Sequence, residues 1–471
     1  MEPTPEAYID AHREPILARL LDFLRIPSVS TDPAHGADIT AAANWVAARL
    51  REAGIMAVEV LKTAGHPVVY AEWLGAPGRP TLLVYGHYDV QPPDPLDEWR
   101  SAPFSPEIRE GRIYARGASD DKGPMFIPLA VAEAFLATEG RIPVNLKFLI
   151  EGEEEIGSPH LAEFVARHAD KLAADYALSA DGAMWRPTEP SLTLGSRGLV
   201  ALDLEIRGAH TDLHSGRHGG AVRNPLHALA ELVAGLHRAD GSVAVPGFYD
   251  GVEEPNEADR RQMAQLGFDE EAYRAAMGVP ALYGEEGYST LERQWYRPTL
   301  EVNGLYGGYQ GVGSKTVVPS VAHAKITCRL APGQMPDEVL RRVTDHLRIQ
   351  ALTGVATKVS PHAGGAPAYR INAAHPGLRL AHDVLQHLYG TEPAVVLMGG
   401  TLPISDIFHR VLGIDTIYFS FSTADEDFHA PNEFFRVSRL WEGIAAWIDF
   451  WRRASEYPLP SELEEAGNPC T

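Results

Sequence analysis

Histidine and acidic side chains stand just after several segments that the sequence predicts to be buried strands. The residues in this position are His87, Asp89, the acidic triplet 153–155, Asp181 and His429. In open α/β sheets, ligands bind beyond the carboxyl ends of the strands. We therefore expect these side chains to meet in one crevice, although each of them taken alone is more typical of an ordinary solvated residue.

A crevice of this composition favours a metal site. Several carboxylates within a few ångströms repel strongly at low dielectric, so protons or cations must lie between them. Imidazole and carboxylate ligands together suit zinc, and also manganese or cobalt. Two ions about 3.5–4 Å apart form a known hydrolytic arrangement, which needs a bridging acid. The segment RGASDDKG offers Asp120 and Asp121 for that position, with a plain surface loop as the alternative.

The elements that would carry these residues alternate between strand and helix. Apolar residues at helical spacing predict helices over 40–53, 124–136, 161–168, 378–389 and 438–451. β-rich runs predict strands over 66–73, 81–85, 144–150, 175–179, 394–398 and 414–421. Strands that alternate with helices predict an α/β fold, a mixed sheet with helices on both faces.

The middle of the chain has a different pattern. Residues 199–206 and 323–330 alternate apolar and polar side chains, which is typical of a strand with one exposed face. We therefore predict an inserted α+β domain over 195–377, between the two parts of the α/β domain, 1–194 and 378–471. The acidic stretch 251–292 within the insert is interpreted as a solvated surface.

The amino-acid composition restricts the binding partners and the cellular compartment that we expect. The chain has 471 residues, and 41 basic against 63 acidic side chains give a formal charge of −22. An acidic surplus disfavours nucleic acid and anionic membranes as partners. Two cysteines, Cys328 and Cys470, make no disulfide framework, and the N-terminal segment has no basic start followed by an apolar core. We expect a cytoplasmic protein.

A set of ordered motifs resembles the co-catalytic zinc metallopeptidase family, which includes cytosolic nonspecific dipeptidase, carnosinase, aminoacylase and glutamate carboxypeptidase. The motifs are HYDVQP from His87, ARGASDDKGP over 115–124, EGEEEIGS over 151–158, SADG over 179–182 and FHAPNE over 428–433. The middle segment, with LHSG, LEVNG and GSKTVVP, is most similar to the dipeptidase branch. The resemblance extends over essentially the whole chain.

The resemblance implies a site for two divalent ions, zinc by preference. The metal ligands that it implies are His87, Asp120, Glu155, Asp181 and His429. Asp120 would bridge the ions and precede a cis peptide bond. Glu154 would be the general base that activates a metal-bridging water, and Asp89 would orient the His87 ring. Glu153 matches no family role and is interpreted as incidental.

The resemblance also implies that the insert is a lid that contributes to substrate binding and to a homodimer. His214 would stabilise the oxyanion, in dimeric relatives from the partner subunit, and Arg329 would bind the substrate carboxylate. Further implied substrate contacts are Thr316, His375, Gly400 and Thr401. A helix-cap role for His214 and a surface charge for Arg329 are the structural alternatives.

The function that these residues predict is metal-dependent cleavage of dipeptides or short peptides with a free C-terminal carboxylate. A carboxypeptidase, or an N-acyl amino acid deacylase or desuccinylase, is the alternative within the family. A non-catalytic binding protein is a remote alternative. An NTPase is another, since GYQGVGSKT over 308–316 resembles a nucleotide-binding P-loop, but Ser314 interrupts the pattern and a β-rich run follows.

Overall fold

Strands and helices alternate along most of the chain in a computed structural model, which describes residues 3–350, 352–362 and 364–456. Cys470 and the last part of the predicted segment 378–471 lie outside the described residues. Among the described residues, no helix combines the length and the apolar character that crossing a membrane requires.

The element bounds are as follows. The strands are β1 (Ala57–Leu61), β2 (Val68–Trp73), β3 (Thr81–His87), β4 (Glu107–Arg109), β5 (Arg112–Tyr114), β6 (Asn145–Glu151), β7 (Tyr176–Ser179), β8 (Ser191–Ser196), β9 (Gly198–Arg207), β10 (Leu213–His214), β11 (Thr299–Gly307), β12 (Val317–Val318), β13 (Val321–Leu330), β14 (Ala356–Pro361), β15 (Tyr369–Arg370), β16 (Ala394–Met398), β17 (Thr416–Tyr418) and β18 (Phe434–Arg436). The α-helices are α1 (Pro5–Ala11), α2 (Arg13–Leu24), α3 (Gly36–Glu52), α4 (Lys122–Glu139), α5 (Leu161–Arg167), α6 (Ala169–Leu172), α7 (Ser215–His218), α8 (Pro225–Ala234), α9 (Glu257–Gln265), α10 (Glu270–Ala276), α11 (Thr290–Trp295), α12 (Pro336–Ile349), α13 (Pro376–Tyr389), α14 (Pro403–Ile407) and α15 (Val437–Ala454). Short 3-10 turns cover Pro33–His35, Leu96–Glu98 and Glu154–Ile156, and Phe408–Leu412 is π-helical.

The chain divides into two units. The first unit comprises Met1–Leu194, Ile371–Val396 and Ile407–Thr471, and the second comprises Gly195–Arg370 and Leu397–Asp406. The predicted insert ends at residue 377, whereas the longer stretch of the second unit ends at Arg370. Residues 397–406 also belong to the second unit. The sequence does not reveal this, because contacts between distant segments leave no local pattern.

A six-stranded sheet in the order β1-β2-β6-β3-β7-β17 forms the centre of the first unit. Strands β6, β3, β7 and β17 are parallel, whereas β2 pairs with β6, and β1 with β2, in antiparallel register. Every residue of β6 and β7 is buried, as expected for strands covered on both faces, although β6 includes the polar residues Asn145, Lys147 and Glu151. Helix α3 packs on β1 and β2, and α4 packs on β3.

Helix α4 links the sheet to the sequence motifs. It begins at Lys122, directly after the two aspartates of RGASDDKG, and its first turns are buried without interruption. It ends at Gly140, which adopts a left-handed conformation with φ of 64°, as is common for a glycine that terminates a helix. The loop before α4 is therefore anchored in the core.

A four-stranded antiparallel sheet in the order β11-β13-β9-β14 forms the centre of the second unit. Side chains of β9 and β13 alternate between buried and partly exposed, as their sequence pattern predicts. Helices α8 and α12 pack on this sheet and cover an apolar core that includes Leu202, Leu204, Leu229, Ile326 and Val343. The opposite face of the sheet is more exposed.

The acidic stretch 251–292 is more ordered than its composition suggests. It contains helices α9, α10 and α11, and capping boxes start α9 and α11. Several of its acids pair with arginines: Glu292 with Arg260, Asp259 with Arg370, and Glu285 with Arg297. Part of the acidic surplus is thus neutralised within the second unit, where we expected solvation alone.

Candidate metal centre

The strand ends of the first unit bring several predicted ligands to one edge of the sheet. His87 is the last residue of β3, Glu154 and Glu155 form the turn after β6, and Asp181 follows β7. Because β3 pairs in parallel with both β6 and β7, these three strand ends open on the same side. The crevice predicted from the sequence is present at this edge.

The carboxylate of Asp120 stands between two histidines. Its Oδ1 lies 3.1 Å from Nε2 of His87, and its Oδ2 lies 2.9 Å from Nε2 of His429. The Asp120–Asp121 peptide bond is cis. The Oδ2 of Asp121 accepts the backbone N–H of His87 at 3.1 Å. Of the two aspartates, Asp120 is therefore the one whose carboxylate contacts both histidine rings.

Two groups of candidate metal ligands share that aspartate. One group is His87, Asp120 and Asp181, and the other is Asp120, Glu155 and His429; within each group the ligand atoms lie within 4.8 Å of one another. His429 Nε2 also lies 3.3 Å from Oε2 of Glu155. Each group offers imidazole nitrogen and carboxylate oxygen, which are the donors that zinc, manganese and cobalt accept. The donor set fits a pair of divalent ions.

Burial and mutual repulsion perturb the acids of the site. Burial, reinforced by the charge of Asp120, raises the pKa of Glu155 to about 7. Burial also raises the pKa of Asp181 to about 6. For His429, hydrogen bonds with Asp120 and Glu155 raise the pKa to about 10. These buried carboxylates concentrate negative charge where there is little water, and a bound cation would offset that charge.

The carboxyl of Glu154 is placed differently from those of the ligands. Burial and the neighbouring carboxylates of Asp181, Glu155 and Asp120 raise its pKa well above the usual range, although His87 opposes this shift. Within the described residues its carboxylate makes no hydrogen bond, whereas its backbone N–H donates to Asp89 and its carbonyl oxygen accepts the N–H of Gly157. The side chain is thus close to the ligands and has both oxygens available.

Asp89 has more contacts than the motif resemblance implies. The Nδ1 of His87 lies 3.4 Å from Oδ1 of Asp89 and 3.1 Å from its backbone carbonyl oxygen. The same carboxylate accepts the backbone N–H groups of Glu154 at 3.3 Å and Glu155 at 3.1 Å. Asp89 therefore holds the turn after β6 as well as the His87 ring.

Gln91, which follows β3, and Glu153, which precedes the 3-10 turn after β6, have contacts that the sequence did not suggest. Gln91 donates from Nε2 to Oε2 of Glu155 at 2.8 Å. Glu153, which we interpreted as incidental, is buried; Nδ1 of His160 lies 2.9 Å from its carboxylate, which also accepts the backbone N–H of His66 at 3.1 Å. Glu153 belongs to neither group of candidate ligands, so its contacts are structural; the sequence does not reveal them, because a solvated and a buried glutamate look alike there.

The implied substrate residues of the second unit fall into two places. Arg329, on β13, donates from Nη1 to Oγ1 of Thr401 at 2.7 Å, next to Gly400. His214 is exposed and caps α7, because its Nδ1 accepts the backbone N–H of Gly216 at 3.0 Å. This is the structural alternative that the sequence left open for His214, and it leaves Nε2 of the ring unused.

Thr316 and His375 have separate surroundings. Thr316 is exposed in the second unit, and its carbonyl oxygen accepts the backbone N–H of Ser215 at 3.0 Å. In the first unit, His375 caps α13 through Gly377, and its ring meets Tyr176 edge-on. No contact of the described residues joins His375 to the ligand groups. Residues 308–316 lead into strand β12 rather than a helix, as expected for a false phosphate-binding match.

Arg197 is a residue of the second unit that the motif resemblance did not single out. Its backbone N–H donates to the carbonyl oxygens of Met398 at 3.2 Å and Gly400 at 3.0 Å. Its Nε donates to the carbonyl oxygen of Gly399 at 2.9 Å. Arg197 therefore supports the turn that precedes Thr401, and only the three-dimensional contact reveals this role.

Comparison with known proteins gives consistent matches. The profile of peptidase family M20/M25/M40 matches residues 83–453. Beta-Ala-His dipeptidase of Mus musculus is 28% identical over 482 residues, 97% of this chain and 97% of that protein. Cys-Gly metallodipeptidase dug1 of Schizosaccharomyces pombe is 28% identical over 465 residues, 94% of this chain and 96% of that protein.

Solved structures agree with the sequence matches. The M20 family metallo-carboxypeptidase Sso-CP2 of Sulfolobus solfataricus is 35% identical with a TM-score of 0.85, covering 94% of this chain and 99% of that one. The di-peptidase Dug1p of Saccharomyces cerevisiae is 27% identical with a TM-score of 0.85, covering 96% of this chain and 98% of that one. The predicted fold class and the family resemblance are confirmed. The chain belongs to peptidase family M20/M25/M40.

Proposed function

We propose that the protein is a metal-dependent peptidase that hydrolyses dipeptides or short peptides with a free C-terminal carboxylate. The observation that carries this proposal is the pair of ligand groups that share Asp120. Family membership supports the chemistry, and the Beta-Ala-His and Cys-Gly dipeptidases among the relatives support the substrate class.

The residues that would hold the two ions are His87 with Asp181 on one side, Glu155 with His429 on the other, and Asp120 between them. When bound, such a pair of ions supplies Lewis acidity, which polarises a peptide carbonyl and lowers the pKa of water towards neutrality. We propose zinc as the native metal, because the mixed imidazole and carboxylate donors suit it, with manganese and cobalt as the alternatives.

Glu154 is the proposed general base. Its available carboxylate takes the proton from the attacking water and delivers it to the nitrogen of the leaving amine. The raised pKa of Glu154 suits a group that must hold a proton during the reaction. Asp89 fixes the backbone of Glu154 and the His87 ring, so that base and ligand keep one relative position.

Arg329 is the proposed partner of the substrate carboxylate. Its guanidinium is partly buried and has no carboxylate partner among the described residues, while Thr401 occupies only one of its donors. It lines a cavity of about 640 Å³ in the second unit. A planar guanidinium pairs with a carboxylate through parallel hydrogen bonds. Thr316, His375 and Gly400 are the further proposed substrate contacts, and His214 is the proposed oxyanion donor.

Carboxypeptidase activity is the second candidate, because the solved relative Sso-CP2 is a metallo-carboxypeptidase and is 35% identical. An N-acyl amino acid deacylase or desuccinylase uses the same metal chemistry. A panel of dipeptides, tripeptides and N-acyl amino acids, assayed on the zinc-reconstituted protein, separates these activities. We expect the highest kcat/KM on dipeptides. A preference for longer peptides or N-acyl amino acids would contradict the dipeptidase proposal.

We also propose a homodimer that forms through the second unit, in the cytoplasm. Strand β11 lies at the edge of its sheet, and an edge strand presents unpaired backbone groups to other chains. Leu305, Tyr306, Tyr309 and Val312 are exposed on this strand and the loop after it. Exposed apolar side chains beside an open edge support pairing with a second copy.

A further inference from the structure

Glu433, the last residue of the motif FHAPNE, has a buried carboxylate that is fully occupied by donors. Its Oε2 accepts Nη1 of Arg116 at 2.7 Å and the backbone N–H of Gly117 at 2.9 Å. Its Oε1 accepts the backbone N–H groups of Ser119 at 2.9 Å and Asp120 at 3.1 Å. Three of these donors belong to the backbone of the loop that carries the bridging aspartate.

This arrangement does more than neutralise a charge. Arg116 is as deeply buried as Glu433, so the pair alone would satisfy the requirement that a buried charge has a partner. The backbone donors from Gly117, Ser119 and Asp120 impose a particular path on the loop, because each N–H must point at one carboxylate. The position of Asp120 is therefore tied to the position of Glu433.

Glu433 also ends the segment that carries His429. Within this segment Asp427, His429 and Asn432 have positive φ angles of 54°, 58° and 68°. Residues other than glycine adopt this conformation at a cost, and they keep it only where their surroundings fix it. At the far end, Glu426 accepts the backbone N–H of Thr423 at 3.1 Å. The segment is therefore held at both ends by buried carboxylates.

Strand pairing joins the two loops. Strand β18 begins directly after Glu433, and its first residue, Phe434, pairs with Tyr114 at the end of β5. The loop that leads to Asp120 leaves β5 at that point. Both ligand-bearing segments thus diverge from one pair of strands, with the Glu433 carboxylate between them.

We propose that Glu433 is a positioning residue that fixes Asp120 and His429 relative to each other. It thereby sets the affinity of the ion bound by Asp120, Glu155 and His429. The proposal rests on the metal centre described under the proposed function. The other ion shares Asp120, but its remaining ligands, His87 and Asp181, lie at the ends of strands of the central sheet, and neither is among the donors that Glu433 accepts. Loss of Glu433 should therefore weaken one ion more than the other.

The test is Zn²⁺ titration of metal-free Glu433→Gln with a competing chelator, beside the wild type. Glutamine keeps the size of the side chain but replaces one acceptor oxygen with a donor that faces two other donors. Removal of a partner outside the ligand set typically weakens metal binding by about 10- to 100-fold. We expect the variant to bind one equivalent about 10- to 100-fold more weakly than the wild type does, and the other, which keeps His87 and Asp181, with a smaller loss.

Glu292→Gln is the matched control. Glu292 is a buried glutamate of the second unit, paired with Arg260 and with the backbone N–H of Ser289. Its loss should lower the melting temperature and leave both Zn²⁺ affinities unchanged. If Glu433→Gln does not fold, Glu433→Asp serves instead, because it keeps the charge but shortens the reach to the loop.

The outcomes separate this inference from the proposed function. Unequal weakening of the two equivalents in a folded Glu433 variant supports the positioning role. Unchanged affinities, or equal weakening of both equivalents, would overturn it. A wild-type protein that fails to bind about two equivalents would instead overturn the proposed metal centre.

Discussion

The carboxylate of Asp89 accepts the backbone N–H of Glu154 at 3.3 Å through its Oδ1. Its other oxygen accepts the N–H of Glu155 at 3.1 Å, and its Oδ1 also lies 3.4 Å from the His87 ring. One buried side chain therefore connects the proposed base, one proposed ligand of each ion and the end of strand β3.

Substitution Asp89→Asn tests this connection. Asparagine places an amide donor against one of the backbone donors, so we expect the turn after β6 to shift and kcat or metal affinity to fall by about 10- to 100-fold. Steady-state kinetics and metal analysis of the purified variant measure both quantities. Asp97→Asn, at an exposed position of a nearby turn, is the control and should match the wild type. Wild-type kcat and metal content in Asp89→Asn would contradict the role.

The raised pKa values of the acids in the metal centre lead us to expect that zinc stabilises the protein more at higher pH. Glu155 and Asp181 have pKa values raised from 4.5 and 3.8 to about 7 and about 6, chiefly by burial. As pH rises through this window, the unfolded chain ionises first, so the metal-free fold loses stability. His429, with its pKa raised to about 10 by Asp120 and Glu155, contributes stability that is lost in the same direction.

Zinc binding needs these groups without their protons, so the ion and the protons compete. We expect the rise in melting temperature caused by zinc to be larger at about pH 8 than at about pH 5.5. Differential scanning calorimetry of the metal-free and zinc-loaded protein measures it. An equal or larger rise at the lower pH would show that the perturbed carboxylates are not the ligands.

Arg329→Gln tests the proposed recognition of the substrate carboxylate. Hydrogen bonds to a charged group contribute about 1.5–3 kcal/mol, so KM for a dipeptide should rise by about 10- to 100-fold with a smaller change in kcat. A C-terminally amidated dipeptide has no carboxylate for Arg329 to bind, so we expect its KM to be the same for the variant and the wild type. Arg341→Gln, at an exposed ion pair of α12, is the matched control. An unchanged KM for the free carboxylate would remove Arg329 from the site.

Two exposed apolar residues, one on strand β11 and one in the loop after it, test the proposed dimer. Leu305 and Val312 are 53% and 100% exposed, so Leu305→Asp with Val312→Asp should not disturb the core. We expect the double variant to sediment as a monomer and the wild type as a dimer. Met56→Asp, at an exposed position of the first unit, is the control and should stay dimeric. A monomeric wild type, or a dimeric double variant, would contradict the interface.

Local patterns account for the parts of this protein that the sequence predicts well. The apolar runs before His87 and Asp181 form the buried parallel strands β3 and β7, because a strand covered on both faces needs apolar residues throughout. The alternation over 199–206 forms β9, which has one buried and one partly exposed face. Side chains after such strands converge by geometry, but the motif resemblance was needed to choose Asp120 over Asp121 and to choose Glu154 and Glu155 within the acidic triplet 153–155.

Contacts between distant segments account for most of what the sequence does not reveal. The bond from Asp120 to Glu433 spans 313 positions, and nothing local marks either residue as its partner. Glu153 has the same chemistry as its neighbours, and only its contacts with His160 and His66 distinguish it from a solvated acid. Residues 397–406 join the second unit for the same reason.

The most direct test of the account is turnover and metal content of Glu154→Gln, measured on one preparation with a dipeptide substrate. Glutamine cannot take a proton from water, so we expect kcat to fall by about 100- to 10,000-fold while the protein keeps about two metal equivalents. Glu163→Gln, an exposed glutamate on α5, should retain wild-type turnover. A fully metal-loaded Glu154→Gln that hydrolyses the dipeptide at near the wild-type rate would contradict the account.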